Sequence, residues 1–163
     1  MAVRVMGASG VANYSDVAAG VVYAARKGAK VINLSLGGYS DSRALREAIR
    51  VAVEEYGVVV VGGAGNDNSQ WLFYPAAYPE VVAVAGVTAG DIKAGFSNYG
   101  DWVDVSAPAE GITTTLLGED WGVVEGTSCG AAMVSGVAGL VRSQHPGWGE
   151  ALVRSLWAMT ESP

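Results

Sequence analysis

The sequence is poor in the residues that cross-link small proteins or bind soft metal ions. Its 163 residues include a single cysteine, Cys129, and a single histidine, His145. One cysteine excludes an internal disulfide framework, and one histidine excludes a zinc site built mainly from histidine and cysteine. Any metal ion bound by this chain would therefore need oxygen ligands.

Excess positive charge and long apolar runs are also absent. Ten lysines and arginines face sixteen acidic residues, so the net charge is −6 and the sequence pI is about 4.6. This balance argues against a surface that follows a nucleic-acid backbone. The sequence has no run of 18 apolar residues and no basic-then-apolar leader. We therefore expect a soluble chain with no membrane span, no export signal and no nucleic-acid partner.

What the sequence does have is an alternation of helical and strand patterns within one domain, 1–163. Helical spacing with capping residues predicts a helix over 15–28, and an amphipathic pattern predicts a second over 42–57. Each is followed by a short apolar strand, within 30–38 and 58–66. Two further strands are expected within 80–87 and 102–108, then helices over 128–143 and 150–159. The apolar run from Val58 is typical of a parallel strand buried on both faces. This alternation predicts an α/β fold with a doubly wound, mostly parallel sheet flanked by helices.

Binding sites in such sheets form at the carboxyl ends of the strands. Three glycine-rich or polar segments fall at these ends: "SLGG", "GGAGN" and "GTS". Asn66 offers a side-chain amide donor, and Ser128 begins a helix whose N–H groups and dipole favour developing negative charge. A hydroxyl and a donor at converging strand ends predict an oxyanion site.

The segments "VINLSLGG", "VVVVGGAGN", "YPAAYPEVVAVAGV", "FSNYG", "VDVSAPAEGI" and "GTSCGAAMVSGVAGLV" resemble, in order and spacing, the subtilisin-like serine proteases, or subtilases. The resemblance covers nearly the whole chain. It implies that Ser128 is the nucleophile and Asn66 the oxyanion donor. It also implies a substrate site for an extended peptide, formed by Ser35, Leu36, Gly37, Gly63, Ala64 and Gly65. Tyr14 and Val17 would border a deeper apolar subsite.

In subtilases the catalytic aspartate and histidine precede the strand that Ala2 to Met6 resembles. The resemblance therefore implies a truncated subtilisin-like fold that lacks its first strands, the general base and its orienting carboxylate. His145 lies 17 positions beyond Ser128, roughly 25 Å along a helix, whereas a base must lie within about 3 Å or one water. We expect His145 to end the helix before Pro146. We expect Cys129 to be a small buried apolar residue and not a second nucleophile.

In the family, the aspartate-bearing strand lies between the strands that resemble 2–6 and 31–34. Its loss would leave an open gap in the sheet with unpaired strand edges. Either residues 2–6 move to pair directly with residues 31–34 through a right-handed crossover, or two chains fill each other's gap. Of these outcomes we favour some form of homo-oligomer.

The resemblance also implies a weak cation site, formed by the backbone carbonyls of Ala76, Tyr78 and Val81 with the carboxylate of Asp104. Such oxygen ligands suit Ca²⁺ or a monovalent cation. An aspartate beside a turn, without any ion, explains the same residues equally well, and no cofactor is required. The Tyr74-Pro75 bond resembles the family's cis peptide, although sequence alone favours trans.

Three functions are compatible with these residues. The first is a serine hydrolase that keeps the nucleophile and oxyanion donor and acts weakly on small or activated esters rather than efficiently on peptides. The second is an inactive protease fragment, and the third is a module that binds extended peptides or associates with itself. Subtilases are mostly secreted, but this sequence carries no leader, so its location stays undetermined.

Overall fold

The computed structural model describes residues 1–149, 151–153 and 155. Three helices and six strands follow one another in this part of the chain. Their bounds, in chain order, are α1 Tyr14–Arg26, β1 Val31–Leu34, α2 Arg43–Glu54, β2 Val59–Gly63, β3 Val81–Val87, β4 Val105–Pro108, β5 Ile112–Leu116, β6 Asp120–Val124 and α3 Thr127–Gln144. The helix predicted over 150–159 falls largely outside the described residues, although 151–153 and 155 are helical.

The strands β1 to β4 form one parallel sheet in the order β1-β2-β3-β4. Helices α1 and α2 cover one face of this sheet, and α3 covers the other. The strands β5 and β6 form a separate antiparallel hairpin. This architecture confirms the predicted α/β fold with a parallel sheet flanked by helices.

The central strand β2 explains the continuous apolar run in the sequence. Val58 and Val60 belong to the hydrophobic cluster beneath α1 and α2, whereas Val59 and Val61 belong to the cluster beneath α3. All four side chains are fully buried. Burial of a valine side chain stabilises the fold by roughly 1.5–3 kcal/mol, so this strand anchors both halves of the core.

Helix α2 forms because its sequence separates apolar and charged residues on two sides. Leu45, Ile49 and Ala52 are fully buried against the core. On the solvent side, the Arg50 guanidinium bonds to the carboxylates of both Glu47 and Glu54. Its N-cap is Ser42, whose side chain accepts a hydrogen bond from the Leu45 N–H.

Helix α3 begins after Gly126, whose φ of 135° and ψ of 154° favour glycine. The helix ends at Gln144 with His145 as its C-cap, and the His145 ring stacks on Trp148 at a centroid distance of 4.0 Å. The predicted role of His145 as the end of this helix is confirmed. Within the described residues, no helix is both long and apolar enough to cross a membrane.

Residues 1–13 contain no strand, so the strand expected at 2–6 is not formed in this structure. Direct pairing of these residues with β1, one of the two outcomes considered, is not formed, because β1 pairs only with β2 among the described strands. Instead, Val3 and Val5 pack beside α1, where a Cβ on Gly20 would lie 2.5 Å from Val5 Cγ1.

A cavity of about 840 Å³ separates this N-terminal segment from β1. Val17, Gly20 and Val21 of α1 line it above the sheet, while Ser135 and Gly136 of α3 line it below. The outer edge of β1 forms one side and residues 1–3 and 5 form another. We call this space the β1 slot. Its position agrees with a gap in the sheet next to β1.

The hairpin of β5 and β6 is not among the elements predicted from the sequence. Its β-branched run from Thr113 to Thr115 is a strand signal, and Leu116 pairs with Asp120 across a three-residue loop. Within that loop Gly118 and Glu119 both have positive φ, 84° and 63°. Most side chains of the hairpin are exposed, so no pattern of burial marks it.

Candidate active site

A cavity of about 270 Å³ lies where β1 and β2 end and α3 begins. The structure brings seven of the predicted site residues together around it: Ser35, Leu36, Gly37, Gly63, Gly65, Asn66 and Ser128. Met6, Phe73 and Thr127 line the same cavity, although none of them is among the predicted site residues. Thr127 belongs to the "GTS" segment expected at this edge of the sheet.

The side chain of Asn66 is held in one orientation by Thr127. Asn66 Oδ1 accepts hydrogen bonds from the Thr127 backbone N–H at 2.9 Å and from Thr127 Oγ1 at 3.1 Å. Because a backbone N–H can only donate, the oxygen of the Asn66 amide must face Thr127. Asn66 Nδ2 then points away and has no hydrogen-bond partner among the described residues. It is therefore available to donate to a ligand.

Ser128 is the second residue of α3, where backbone N–H groups have no partner within the helix. Neither its N–H nor its Oγ bonds to another described residue. Its carbonyl accepts a hydrogen bond from Ser35 Oγ at 3.1 Å, which ties the first turn of α3 to the end of β1. The positive end of the helix dipole and two free donors, Ser128 N–H and Asn66 Nδ2, suit a developing oxyanion.

No titratable side chain lines this cavity in the part of the chain that the structure describes. His145 caps the opposite end of α3, so the helix separates it from Ser128 by roughly 25 Å. A general base must lie within about 3 Å or one water of the proton it takes. Among the described residues, no titratable side chain hydrogen-bonds to Ser128 Oγ or lines its cavity.

The two predicted substrate-binding segments, 35–37 and 63–65, differ in whether their backbone N–H and C=O groups are free to bind a ligand. Residues 35–37 form no backbone hydrogen bond with other described residues, so their N–H and C=O groups can receive an extended ligand. Gly65 is already engaged: its N–H donates to Thr127 Oγ1 and its carbonyl accepts from Asn98 N–H. Ala64 is fully buried, with its N–H donating to the Val84 carbonyl. The 63–65 segment thus forms a wall, and Ala64 does not reach the cavity.

Phe73 closes one side of the cavity. A Cβ on Gly37 would lie 2.5 Å from the Phe73 ring, and one on Gly65 would lie 3.0 Å from it. The ring therefore fits between the two segments only because both positions are glycine. Tyr39 packs edge-on against Phe73 at 5.2 Å, and its hydroxyl donates to Asp67 Oδ2 at 2.6 Å. Burial, together with the Asp67 carboxylate, raises the pKa of Tyr39 above its ordinary value.

Asn98 organises the loop after Asn66 and is also absent from the predicted site. It is fully buried, and its Oδ1 accepts from the N–H groups of Asp67 and Ser69, each at 3.0 Å. Its Nδ2 donates to the Ala64 carbonyl at 2.9 Å. The only sequence signal was its place in the "FSNYG" segment, to which no chemistry could be attached.

Three other predicted residues lie outside this cavity. Val17 is 3% exposed within the core and borders the β1 slot together with Leu36, while Tyr14 places its hydroxyl near Gly38. Cys129 is half-exposed, so the expectation of a buried residue is wrong. Its position in the first turn of α3 leaves its side chain only partly covered.

Two oxygen atoms of the candidate cation site already accept backbone hydrogen bonds. Asp104 Oδ2 accepts from the Ala83 N–H at 2.8 Å, and the Tyr78 carbonyl accepts from the Val81 N–H at 2.9 Å. Carbonyl and carboxylate oxygens can accept a second contact, so the donor set remains compatible with Ca²⁺ or a monovalent cation. The site itself stays a prediction. The adjoining Tyr74-Pro75 bond is cis, as the resemblance implied.

We next compared the chain with known protein families and proteins. The model of the subtilase family matches residues 1–162, so the chain belongs to that family. The chain is 44% identical over 144 residues to the thermophilic serine proteinase of Bacillus sp. strain AK1 and equally to thermitase of Thermoactinomyces vulgaris, with 88% of this chain covered in each case. It is 40% identical over 157 residues to a subtilisin of Bacillus pumilus, with 94% of this chain covered.

The solved structure of a cold-adapted subtilisin-like serine proteinase superposes with a TM-score of 0.88 at 34% identity. That alignment covers 94% of this chain and 56% of the other. The curated relatives are likewise longer: the match spans 36%, 51% and 57% of the AK1 proteinase, thermitase and the Bacillus pumilus subtilisin, respectively. These relatives are serine proteases, and this chain corresponds to part of each.

Proposed function

We propose that the chain is a serine hydrolase whose activity is weak and directed at small or activated esters. The supporting observation is the arrangement around Ser128. Two unpaired donors, Asn66 Nδ2 and Ser128 N–H, border the same cavity as Ser128 Oγ, and no titratable side chain of the described residues lines it. These two donors would stabilise the oxyanion, whereas water would accept the proton of the Ser128 hydroxyl.

The leaving group decides which substrates this arrangement can serve. Ser128 Oγ would attack the ester carbonyl, lose its proton to water and expel an alkoxide or phenolate, leaving an acyl-serine that a second water hydrolyses. A phenolate departs without a proton, whereas the amine of a peptide bond needs one. In subtilisin, a family member and the standard reference case, loss of the triad leaves about 10³- to 10⁴-fold catalysis over water. That level suits activated esters and not peptides.

We expect the preferred ester substrate to carry a short acyl group. Phe73 occupies the space between Gly37 and Gly65, and the cavity beside Ser128 holds only about 270 Å³. A pocket for a drug-sized ligand usually measures about 300–1,000 Å³. We expect p-nitrophenyl acetate to react faster than p-nitrophenyl octanoate, since the longer acyl chain meets the Phe73 ring.

The test is turnover of p-nitrophenyl acetate, with labelling by a fluorophosphonate probe, in the wild type and three variants. Ser128→Ala should abolish both signals, and Asn66→Ala should reduce turnover by about 10²-fold, as expected for loss of an oxyanion donor. The exposed Ser143 supplies a matched control, because Ser143→Ala removes the same hydroxyl at the far end of α3. Turnover that persists in Ser128→Ala would refute the proposal.

A second candidate is a peptide-binding module, favoured by the unpaired backbone of residues 35–37. An extended peptide could add to this edge by main-chain hydrogen bonds, with side-chain pockets providing selectivity. Binding of a fluorescent pentapeptide to Ser128→Ala, in the absence of any hydrolysis by the wild type, would support the module over the enzyme.

A further inference from the structure

A series of side-chain hydrogen bonds joins helix α3 to strand β1 and ends at Ser128. Ser135 Oγ bonds to Asn33 Oδ1 at 3.2 Å, and Asn33 Nδ2 bonds to Ser35 Oγ at 3.0 Å. Ser35 Oγ then bonds to the Ser128 carbonyl at 3.1 Å. Neither Asn33 nor Ser135 is among the predicted site residues, and neither lines the cavity beside Ser128.

The backbone carbonyl at the end of this series fixes the direction of the bonds before it. A carbonyl can only accept, so the Ser35 hydroxyl must donate its single hydrogen to Ser128. Ser35 Oγ is then left as an acceptor, so the NH₂ group of the Asn33 amide must face it. Asn33 Oδ1 faces Ser135, whose hydroxyl also contacts the Ala131 carbonyl at 2.7 Å. Asn33 therefore directs the Ser35 hydrogen to the Ser128 carbonyl.

The bond from Ser35 to Ser128 connects the two parts of the candidate site that acyl transfer must bring together. Residues 35–37 form one side of the cavity and carry the unpaired backbone groups of the predicted substrate site. Ser128 carries the proposed nucleophile on the first turn of α3. In such a site, a displacement of about 1 Å can lower the rate by about 10²-fold. The bond from Ser35 limits the movement of one part relative to the other.

We propose that Asn33 is a positioning residue. By donating to Ser35 Oγ, it keeps the Ser35 hydroxyl bonded to the Ser128 carbonyl and so holds the first turn of α3 at a fixed distance from residues 35–37. Asn33 acts through Ser35. Its effect on catalysis rests on the proposed function of Ser128, whereas its effect on the first turn of α3 does not.

Asn33→Asp tests the direction of the bonds and leaves the size of the side chain unchanged. A carboxylate can only accept, so it draws the Ser35 hydrogen away from the Ser128 carbonyl. With p-nitrophenyl acetate, we expect kcat to fall about three- to tenfold, as for one lost hydrogen bond, and KM to stay within about twofold. Ser35→Ala should change kcat and KM in the same way, and Ser35→Thr, which keeps a hydroxyl, should retain most of kcat.

Gln144→Glu is the matched control. It makes the same change from amide to carboxylate at an exposed position at the far end of α3. It should leave kcat unchanged. A kcat that Asn33→Asp does not alter, or that Gln144→Glu lowers to the same extent, would contradict the positioning role.

The double variant Asn33→Asp/Ser35→Ala separates an effect through Ser35 from a general loss of stability. If Asn33 acts through Ser35, the double variant should have the same kcat as Ser35→Ala alone. Two independent effects would instead multiply, and that result would overturn the proposal.

Cys129 provides a measurement that needs no catalysis. It follows Ser128 in the first turn of α3, is half-exposed, and is the only cysteine in the sequence. Asn33→Asp and Ser35→Ala should each raise its rate of alkylation by iodoacetamide, an uncharged reagent, about three- to tenfold by loosening this turn. Gln144→Glu should not raise it.

The two measurements distinguish failure of this proposal from failure of the proposed function. A wild type that does not hydrolyse p-nitrophenyl acetate refutes the hydrolase, and the alkylation rates then decide whether Asn33 holds the first turn of α3. Alkylation rates equal to that of the wild type in both Asn33→Asp and Ser35→Ala would refute the positioning role, whatever the turnover.

Discussion

The hydroxyl of Thr127 accepts a hydrogen bond from the Gly65 N–H and donates one to Asn66 Oδ1, both at 3.1 Å. Its side chain is 2% exposed, so both bonds lie away from bulk water. Because Asn66 Oδ1 is held on this side, Asn66 Nδ2 is directed away from Thr127. Thr127 thus positions the proposed oxyanion donor.

Thr127→Val keeps the shape of this side chain and removes its hydroxyl. We expect a loss of about 1–3 kcal/mol in the free energy of unfolding, since the Gly65 N–H remains buried without an acceptor. The proposed ester turnover should fall by about tenfold, because a less firmly held Asn66 amide is a poorer oxyanion donor. Urea unfolding measures the first effect. Thr115→Val, on the exposed strand β5, is the control and should leave stability unchanged.

The residues that could be assigned to the candidate site from the sequence are those whose side-chain type and position indicate a catalytic role. Ser128 at a glycine-rich helix start and Asn66 at a strand end could be assigned to an oxyanion site in this way. Thr127, Asn98 and Phe73 could not, because their roles depend on contacts that the fold makes. Thr127 accepts from the Gly65 N–H 62 positions away, and Asn98 accepts from the Asp67 N–H 31 positions away. Spacing along a single sequence does not report such contacts.

Among the elements, α2 has the simplest physical basis. Ser42 adopts an extended conformation before the helix, and its Oγ accepts a hydrogen bond from the Leu45 N–H at 3.4 Å. We expect Ser42→Ala to lower the free energy of unfolding by about 1 kcal/mol, the usual contribution of an N-cap. Thermal unfolding followed by circular dichroism measures this. Ser40→Ala, in the exposed loop just before, should have no measurable effect.

The elements that the sequence predicted share a strong pattern of burial. Helix α2 and strand β2 bury apolar residues with the periods of a helix and of a strand covered on both faces, so both were assigned correctly. The β5-β6 hairpin is mostly exposed and carries no such pattern. Residues 2–6 have an apolar, strand-like sequence but form no strand. A β-strand is stabilised by hydrogen bonds to a neighbouring strand, and these residues have no such neighbour.

For the whole molecule, the pH dependence of stability is expected to involve Tyr78. Its hydroxyl accepts from the Ser42 N–H at 2.9 Å and donates to Asp41 Oδ1 at 2.8 Å, which joins the start of α2 to the segment after Pro75. Burial is the main cause that raises the pKa of Tyr78 to about 12. An unfolded tyrosine has a pKa of about 10, so the folded chain favours the neutral hydroxyl.

The sign of this effect follows from proton linkage. The stabilisation by neutral Tyr78 is complete below pH 10 and is lost as the pH rises from 10 to 12. Tyr78→Phe should therefore be less stable than the wild type at neutral pH but should lose less stability between pH 10 and 12. Urea midpoints across this range provide the measurement. The exposed Tyr23 is the control: Tyr23→Phe with the same pH profile as Tyr78→Phe would contradict the assignment.

The β1 slot has a consequence for how chains meet at high concentration. The Lys30 carbonyl bonds to the Val59 N–H, so in a parallel strand the alternate residues Val31 and Asn33 direct their backbone groups away from β2 and into the slot. An edge of this kind usually invites another sheet to stack alongside and extend into a fibril. Here α1 lies on one side of the edge and α3 on the other, and residues 1–3 and 5 lie opposite β1. These elements sterically prevent another sheet from pairing with the β1 edge, and they leave room for a single strand only. The unpaired edge is therefore protected by its neighbours in the fold and not by charged side chains.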